Sequence, residues 1–189
     1  MKNVMKKLSV YRKGLSVSLS LLLIVSLTTM ALAKVPKWTT VGSVGVADEV
    51  NRDLVNYNLG RVGLLSSAPA NAHAILRYNV DSLAGGSRSV SYMAVRYTDN
   101  GAEAQVTVKL HQYHLNTGAD TVLLEFDSNN YASNSSYQTR TVGEMGTEFD
   151  RFFFDFSNYA YYVEVTLTKT GAAGNPALGI VQLSSEYSS

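Results

Sequence analysis

The sequence predicts an all-β protein: a single antiparallel β-sandwich of jelly-roll or immunoglobulin-like type, preceded by a cleaved signal peptide. Three observations carry this reading. Apolar and polar residues alternate with a period of two in several short segments, the mark of strands with one buried face. Clusters of Gly, Asn, Asp and Ser separate these segments at regular intervals, as in sandwiches and barrels. After the N-terminal region no stretch sustains the 3.6-residue apolar period of a helix.

The N-terminus reads as an export signal. Lys2, Lys6, Lys7, Arg12 and Lys13 form a basic stretch, and an apolar run follows from Leu15 to Leu27. It closes on Ala31 and Ala33, the small-x-small pattern of a cleavage site after residue 33. The run is shorter than the roughly 18–20 residues a transmembrane helix needs. The expectation is a protein secreted, periplasmic or displayed at the cell surface, with no membrane insertion once the signal is removed. Residues 34–189 then form one domain, long enough to bury its own core.

Charge and cysteine content narrow the function classes. Five of the 16 Lys and Arg lie in the signal, leaving 11 against 15 Asp and Glu, a net charge of −4. An acidic domain without basic clusters is a poor partner for nucleic acid or anionic membranes. With no cysteine, disulfides, thiol catalysis and thiolate-bound metals are excluded.

Strands are expected from about Ala74 onward. Val90–Thr98 should place Met93, Val95 and Tyr97 inward, and Asp99-Asn100-Gly101 predicts a tight hairpin to the next strand. That strand, Ala102–Tyr113, alternates Ala104, Val106, Val108 and Leu110 with Gln105, Thr107, Lys109 and His111. Asn116-Thr117-Gly118 turns the chain into Thr121–Asp127, with Val122, Leu124 and Phe126 on one face. Ser128–Ser136 is expected to be a polar loop, Tyr137–Val142 a weaker strand and Gly143–Gly146 a connection. Phe149–Phe156 is expected to be a strand with Phe152, Phe154 and Phe156 aligned. Tyr161–Lys169 turns Tyr161, Val163, Val165 and Leu167 inward; Gly171–Pro176 is a turn, Ala177–Leu183 the last strand and Ser184–Ser189 a loose tail. In Val35–Ser67, Asp48 could cap a short helix through Leu54, or the segment could add one or two edge strands.

The run Val95-Arg96-Tyr97-Thr98-Asp99-Asn100-Gly101 through Phe126-Asp127-Ser128-Asn129, with Gly174-Asn175-Pro176-Ala177-Leu178-Gly179-Ile180, resembles stretches in uncharacterised exported proteins of bacteria. The resemblance implies a bacterial exported β-sandwich and brings no family of known function with it.

Reactive chemistry is sparse. His111 and His114 share a His-x-x-His spacing, but on a strand residues three apart face opposite ways, so a shared metal would need a bulge between them. His73 has no nucleophile motif beside it, and no nucleophile elbow, phosphate loop or zinc-protease signature occurs. Glu125 and Asp127 share a strand face and read as solvated. Asp99, Asp120 and Asp127, with carbonyls of the Asn/Ser loop, are candidates for a structural Ca²⁺; no other cofactor is expected. Asn134-Ser135-Ser136 matches a glycosylation acceptor, which chance supplies in any Asn/Ser loop.

The unusual feature is 12 tyrosines, of which only Tyr11 lies in the signal. Tyr92, Tyr113, Tyr131, Tyr137, Tyr159 and Tyr162 fall where alternation puts them outward or at strand ends. An exposed tyrosine offers an apolar face and a hydroxyl, suited to stacking on sugars or to a protein contact. Trp38 is expected to pack against the sandwich edge. The leading expectation is a non-catalytic binding domain for a polysaccharide or cell-surface glycan. The alternatives are a protein-interaction component of the bacterial cell envelope and, third, a small hydrolase with an unrecognised carboxylate pair.

Overall fold

The structure, a computed structural model, describes residues 37–81, 89–143 and 152–185. The predicted signal peptide and its cleavage point lie outside them, as does most of the expected 143–146 connection.

Among the described residues the chain forms thirteen strands: β1 (Trp38–Val41), β2 (Val46–Ala47), β3 (Val55–Asn58), β4 (Arg61–Leu64), β5 (His73–Asn79), β6 (Ser89–Val90), β7 (Tyr92–Asp99), β8 (Ala104–His114), β9 (Asp120–Asp127), β10 (Asn134–Gly143), β11 (Phe152–Phe153), β12 (Tyr159–Lys169) and β13 (Ala177–Ser184). A six-stranded sheet has the order β10-β7-β13-β4-β3, with β1 beside β13, and a five-stranded sheet the order β2-β5-β12-β8-β9. The short β6 and β11 pair with each other. All pairings are antiparallel.

The pairings are nested. The inner hairpin is β8–β9, and outside it β7 pairs β10, β5 pairs β12 and β4 pairs β13. Successive rungs alternate between the two sheets, so the strands form one long hairpin rolled into a sandwich. Of the two predicted types, this is the jelly roll. Pairs β7–β13 and β8–β12 then close each sheet across the roll. The core lies between the sheets. Alternate residues of β8 (Ala104, Val106, Val108, Leu110) and β12 (Tyr161, Val163, Val165, Leu167) are buried, as are Met93, Val95, Tyr97, Leu178, Val181 and Leu183 of the other sheet. Each large side chain so buried contributes about 1.5–3 kcal/mol.

Several expectations are corrected. Asp99-Asn100-Gly101 is not a hairpin: it carries the chain from the six-stranded sheet to the five-stranded one. A two-residue primed turn needs left-handed backbone at its centre, whereas Asn100 does not have positive φ and Gly101 stands at φ 150°. Asn100 is used otherwise: its amide donates to Ala173 O at 2.7 Å and its Oδ1 accepts from Asn175 N at 2.6 Å. The true two-residue hairpin is Leu59-Gly60 between β3 and β4, with φ 44° and 83° and Asn58 opposite Arg61.

In β9 a bulge at Leu123 shifts the register between Leu110/Leu124 and His111/Val122. Phe126 is buried as expected, but Val122 falls out of phase and is 42% exposed. The polar loop after Asp127 is shorter than expected: a 3-10 turn (Ser128–Asn130) precedes β10, which starts at Asn134. The expected strand Phe149–Phe156 is, among described residues, only Phe152–Phe153. Beyond it Phe154 is buried and packs edge-on against Tyr161, with Phe156 beside them. The C-terminal tail is not loose from Ser184 on, since Ser184 belongs to β13 and Ser185 is also buried. Val35–Ser67 goes beyond either alternative: among the described residues it holds four short strands, with β4 internal to its sheet, and a 3-10 helix at Glu49–Leu54. Asp48 occupies the N-cap position but makes no capping bond; its carboxylate pairs with Arg77 instead.

Candidate functional site

The outer face of the five-stranded sheet carries a row of charges in exact register. Arg77 of β5 stands opposite Glu164 of β12, Glu164 opposite Lys109 of β8, and Lys109 opposite Glu125 of β9. Contacts follow the register: Arg77 to Glu164 at 2.9 Å, Lys109 to Glu125 at 3.1 Å, and Arg77 also to Asp48. Opposite charges facing across strands stabilise a sheet modestly and fix its register. The acids Glu125 and Glu164 are thus partnered, and the former is solvated as expected.

One row further along, Asn79, Tyr162, His111 and Val122 align across the same four strands. Tyr162 lies flat on His111, ring centroids 4.6 Å apart and planes 8° from parallel. Its hydroxyl donates to Asp120 Oδ2 at 3.0 Å, and the same carboxylate accepts from His111 Nδ1 at 3.0 Å. Burial, helped by that hydrogen bond and by the charges of Asp120 and Glu164, pushes the Tyr162 hydroxyl up to about 12. It therefore stays a donor throughout the physiological range. The imidazole under it is only 7% exposed, and its Nε2 meets no hydrogen-bond partner among the described residues. The result is a half-buried aromatic plate with its ring and its hydroxyl both fixed. Tyr113, the diagonal neighbour across β8 and β12, is 41% exposed.

The other end of the Tyr162 row opens into a cleft. Asn79, directly opposite Tyr162, lines a hollow of about 380 Å³ with Thr40, Val44, Val46, Arg77 and Tyr78. A second hollow of about 490 Å³ adjoins it through Val46 and is lined by Ser43, Glu49, Arg52 and the exposed Tyr57. The tight wall between chain segments depends on Gly45, where a Cβ would come within 2.3 Å of the Tyr78 ring. The Tyr57 hydroxyl donates to Gly45 O at 3.3 Å and that of Tyr78 to Gly42 O at 2.8 Å.

The six tyrosines singled out from sequence do not form one platform. Tyr113 and Tyr162 come together on the outer face just described. Tyr159 packs against the core, edge-on to His114 at 4.9 Å and beside Tyr161. Tyr131 stacks on the buried Phe126 at 5.6 Å, under Arg140. Tyr137 lies on the six-stranded sheet between Arg61 and Arg96, and Tyr92 pairs with Gly143 and Ser184 in that sheet. Of the six, only Tyr113 is exposed and the rest are half-buried. His111 stacks on Tyr162 and His114 meets Tyr159 edge-on, from opposite faces of β8, and they share nothing. Trp38 is partly buried against the core, at the sandwich edge as expected.

The three aspartates named as Ca²⁺ ligands do not converge. Asp120 and Asp127 stand at opposite ends of β9, about 20 Å apart at the strand rise; Asp120 is held by His111 and Tyr162, and Asp127 by Asn129 N and Gln105. The described residues contain no group of three or more His, Asp or Glu placed to hold a metal. No described helix is long and apolar enough to cross a membrane. Sequence reasoning missed Tyr57, Asn79 and Arg77, and the Leu59-Gly60 turn was the signal that would have placed Tyr57 on a hairpin.

No family description and no curated protein matches the chain. Among solved structures, it is similar to the CBM36-1 domain of a multidomain xylanase from the hindgut metagenome of Trinervitermes trinervoides (11% identity, 80% of this chain and 99% of that one, TM-score 0.45). It is also similar to the low-affinity xylan-binding module CBM86 of Roseburia intestinalis (13%, 78% and 93%, TM-score 0.40). A third is the K1 cleaved adhesin domain of Lys-gingipain from Porphyromonas gingivalis (10%, 80% and 99%, TM-score 0.42). The chain spans only 33% of the length of a Cellvibrio japonicus carbohydrate esterase to which it is also similar. At these identities and TM-scores no residue role passes from those proteins to this chain.

Proposed function

We propose that this β-sandwich is an exported, non-catalytic domain that binds a polysaccharide or cell-surface glycan on the outer face of its five-stranded sheet. The observation that carries the reading is Tyr162, a ring immobilised by His111 and Asp120 before any ligand arrives. Fixing the ring in advance removes the ordering cost that weakens most contacts to mobile side chains. Around it stand groups that sugar hydroxyls can pair with: the Asn79 amide, the Thr40 hydroxyl and the Asp120 carboxylate, with the adjoining hollows giving length for more than one sugar unit. Tyr113 and Tyr57 supply further aromatic surface at either side.

Retention of the purified protein by a panel of soluble and insoluble neutral polysaccharides tests the proposal. Tyr162→Ala and Asn79→Ala should each weaken selective retention about tenfold, the worth of one good stacking or hydrogen-bonding contact, while circular dichroism stays native. Retention by no member of the panel, or retention indifferent to both substitutions, would sink it.

A second reading, a protein contact within the cell envelope, is favoured by one observation. Val44 and Val46, which line the same hollows, are 62% and 72% exposed. Exposed apolar side chains clustered in one region suit a protein partner. Charged replacements at Val44 and Val46 that abolish association with an envelope fraction, while polysaccharide retention is absent, would favour it.

A further inference from the structure

The two sheets differ in charge. The strands of the six-stranded sheet carry Arg61, Arg96 and Arg140 and a single acid, Asp99, which is only 2% exposed. On the five-stranded sheet the exposed Arg77 and the half-buried Lys109 are each bound to a carboxylate. Arg61 and Arg96 are both exposed, and among the described residues neither has an ion pair. A chain whose predicted mature form is acidic thus leaves two guanidiniums unneutralised on one face.

They are also held together. Arg61, from β4, lies 4.7 Å from the centroid of the Tyr137 ring, and Arg96, from β7, lies 5.6 Å from it. Tyr137 reaches this position from β10 because the bulge in β13 puts Gly179 beneath it. A Cβ there would stand 3.1 Å from the ring. Cation–π contact fixes a guanidinium without cancelling its charge, so the outer edges of both forks stay open. Such forks match the geometry of a carboxylate, which they bind in pairs of parallel hydrogen bonds.

We propose that Arg61 and Arg96, seated on Tyr137, form a site for the carboxylate groups of an acidic polysaccharide, on the face opposite the Tyr162 site. The number of cations selects this ligand class. Useful affinity for nucleic acid rests on several phosphate contacts made at once, and two arginines flanking one aromatic ring are too few. They do suit isolated carboxylates spaced along a sugar chain. This site is independent of the neutral-glycan reading and stands or falls separately.

The test is affinity electrophoresis of the full chain through gels containing polygalacturonate, its methyl ester, or a neutral glucan, at low and at physiological salt. The acid polymer should retard the protein and the ester should not. Arg61→Gln with Arg96→Gln should raise the dissociation constant at least tenfold, each single substitution should act in the same direction, and Lys109→Gln on the other sheet should change nothing. The replaced side chains are exposed, so the thermal midpoint should hold. Equal retardation of wild type and double variant, or equal retardation by acid and ester, would overturn the assignment. So would a preference for a single-stranded oligonucleotide or a polyglutamate of matched charge, which would name a different polymer.

Discussion

Asp120 accepts from His111 Nδ1 and from the Tyr162 hydroxyl through one carboxylate oxygen, both at 3.0 Å. The carboxylate is therefore a shared anchor for an imidazole that is only 7% exposed and for the ring stacked above it. Removing it in Asp120→Ala strands two donors, one of them buried, and should cost about 2–3 kcal/mol. Removing one partly exposed donor in Tyr162→Phe should cost about 1 kcal/mol or less. Urea midpoints of the two variants check the ranking, and equal losses would mean that His111 gains nothing from Asp120.

The tyrosines also set the response to alkali. Burial raises Tyr78, Tyr97 and Tyr137 above the ordinary tyrosine value and takes Tyr162 up to about 12. Each is harder to deprotonate folded than unfolded, so the folded state holds its protons more tightly. Their stabilising effect is complete below about pH 10, where the unfolded chain also keeps its protons, and for Tyr162 it is lost between about pH 10 and 12. Denaturant midpoints should fall across that window while the ring absorbance shows part of the tyrosine still protonated. Tyr162→Phe should flatten the fall. A midpoint constant from pH 9 to 12 would refute the linkage.

Much of this architecture was legible because it rests on alternation. The inward sets of β7, β8 and β12 follow directly from a period of two, and all three are buried as read. What escaped were the places where one residue breaks the period or where tertiary context sets the turn. Leu123 is an ordinary apolar residue, and nothing local marks it as the bulge that turns Val122 outward. Asp99-Asn100-Gly101 has the composition of a hairpin turn but is claimed by Ala173 and Asn175, more than 70 residues away. The site suffered similarly. Alternation could say that Tyr162 and Tyr113 point outward, but not that β5 would bring Asn79 alongside or that Tyr159 would pack against the core. A long rolled hairpin joins residues distant in sequence, so its surfaces are assembled from pieces that no window contains.

The β3–β4 turn carries a local weakness. Leu59 holds φ 44° ahead of Gly60 at 83°, and its side chain is 96% exposed, so it gains almost nothing by packing. Left-handed backbone costs a branched L-residue about 1 kcal/mol, and asparagine tolerates it best among residues with a side chain. Leu59→Asn creates the favoured sequence for this turn and should raise stability by about 0.5–1 kcal/mol, or about 1–4 °C in thermal midpoint. A lowered midpoint would show that Leu59 is held by a contact outside the turn.

Glu103 joins the loop after β7 to the loop after β12 through its backbone and its side chain separately, and glycines face both. Its carbonyl accepts from Thr170 N at 2.8 Å, and its carboxylate accepts from Ala173 N at 2.9 Å. At Gly174 a Cβ would lie 2.0 Å from that carbonyl oxygen, whereas at Gly171 it would lie 2.1 Å from a carboxylate carbon at the end of a flexible side chain. Backbone cannot yield without moving the strands it joins, but a carboxylate can swing away and lose one hydrogen bond. Gly174→Ala should therefore cost about 3 kcal/mol or more, and Gly171→Ala about 1 kcal/mol. Chemical denaturation of both variants decides the matter. Similar small losses would show that the loop after β12 shifts freely and that Glu103 does not lock the two loops.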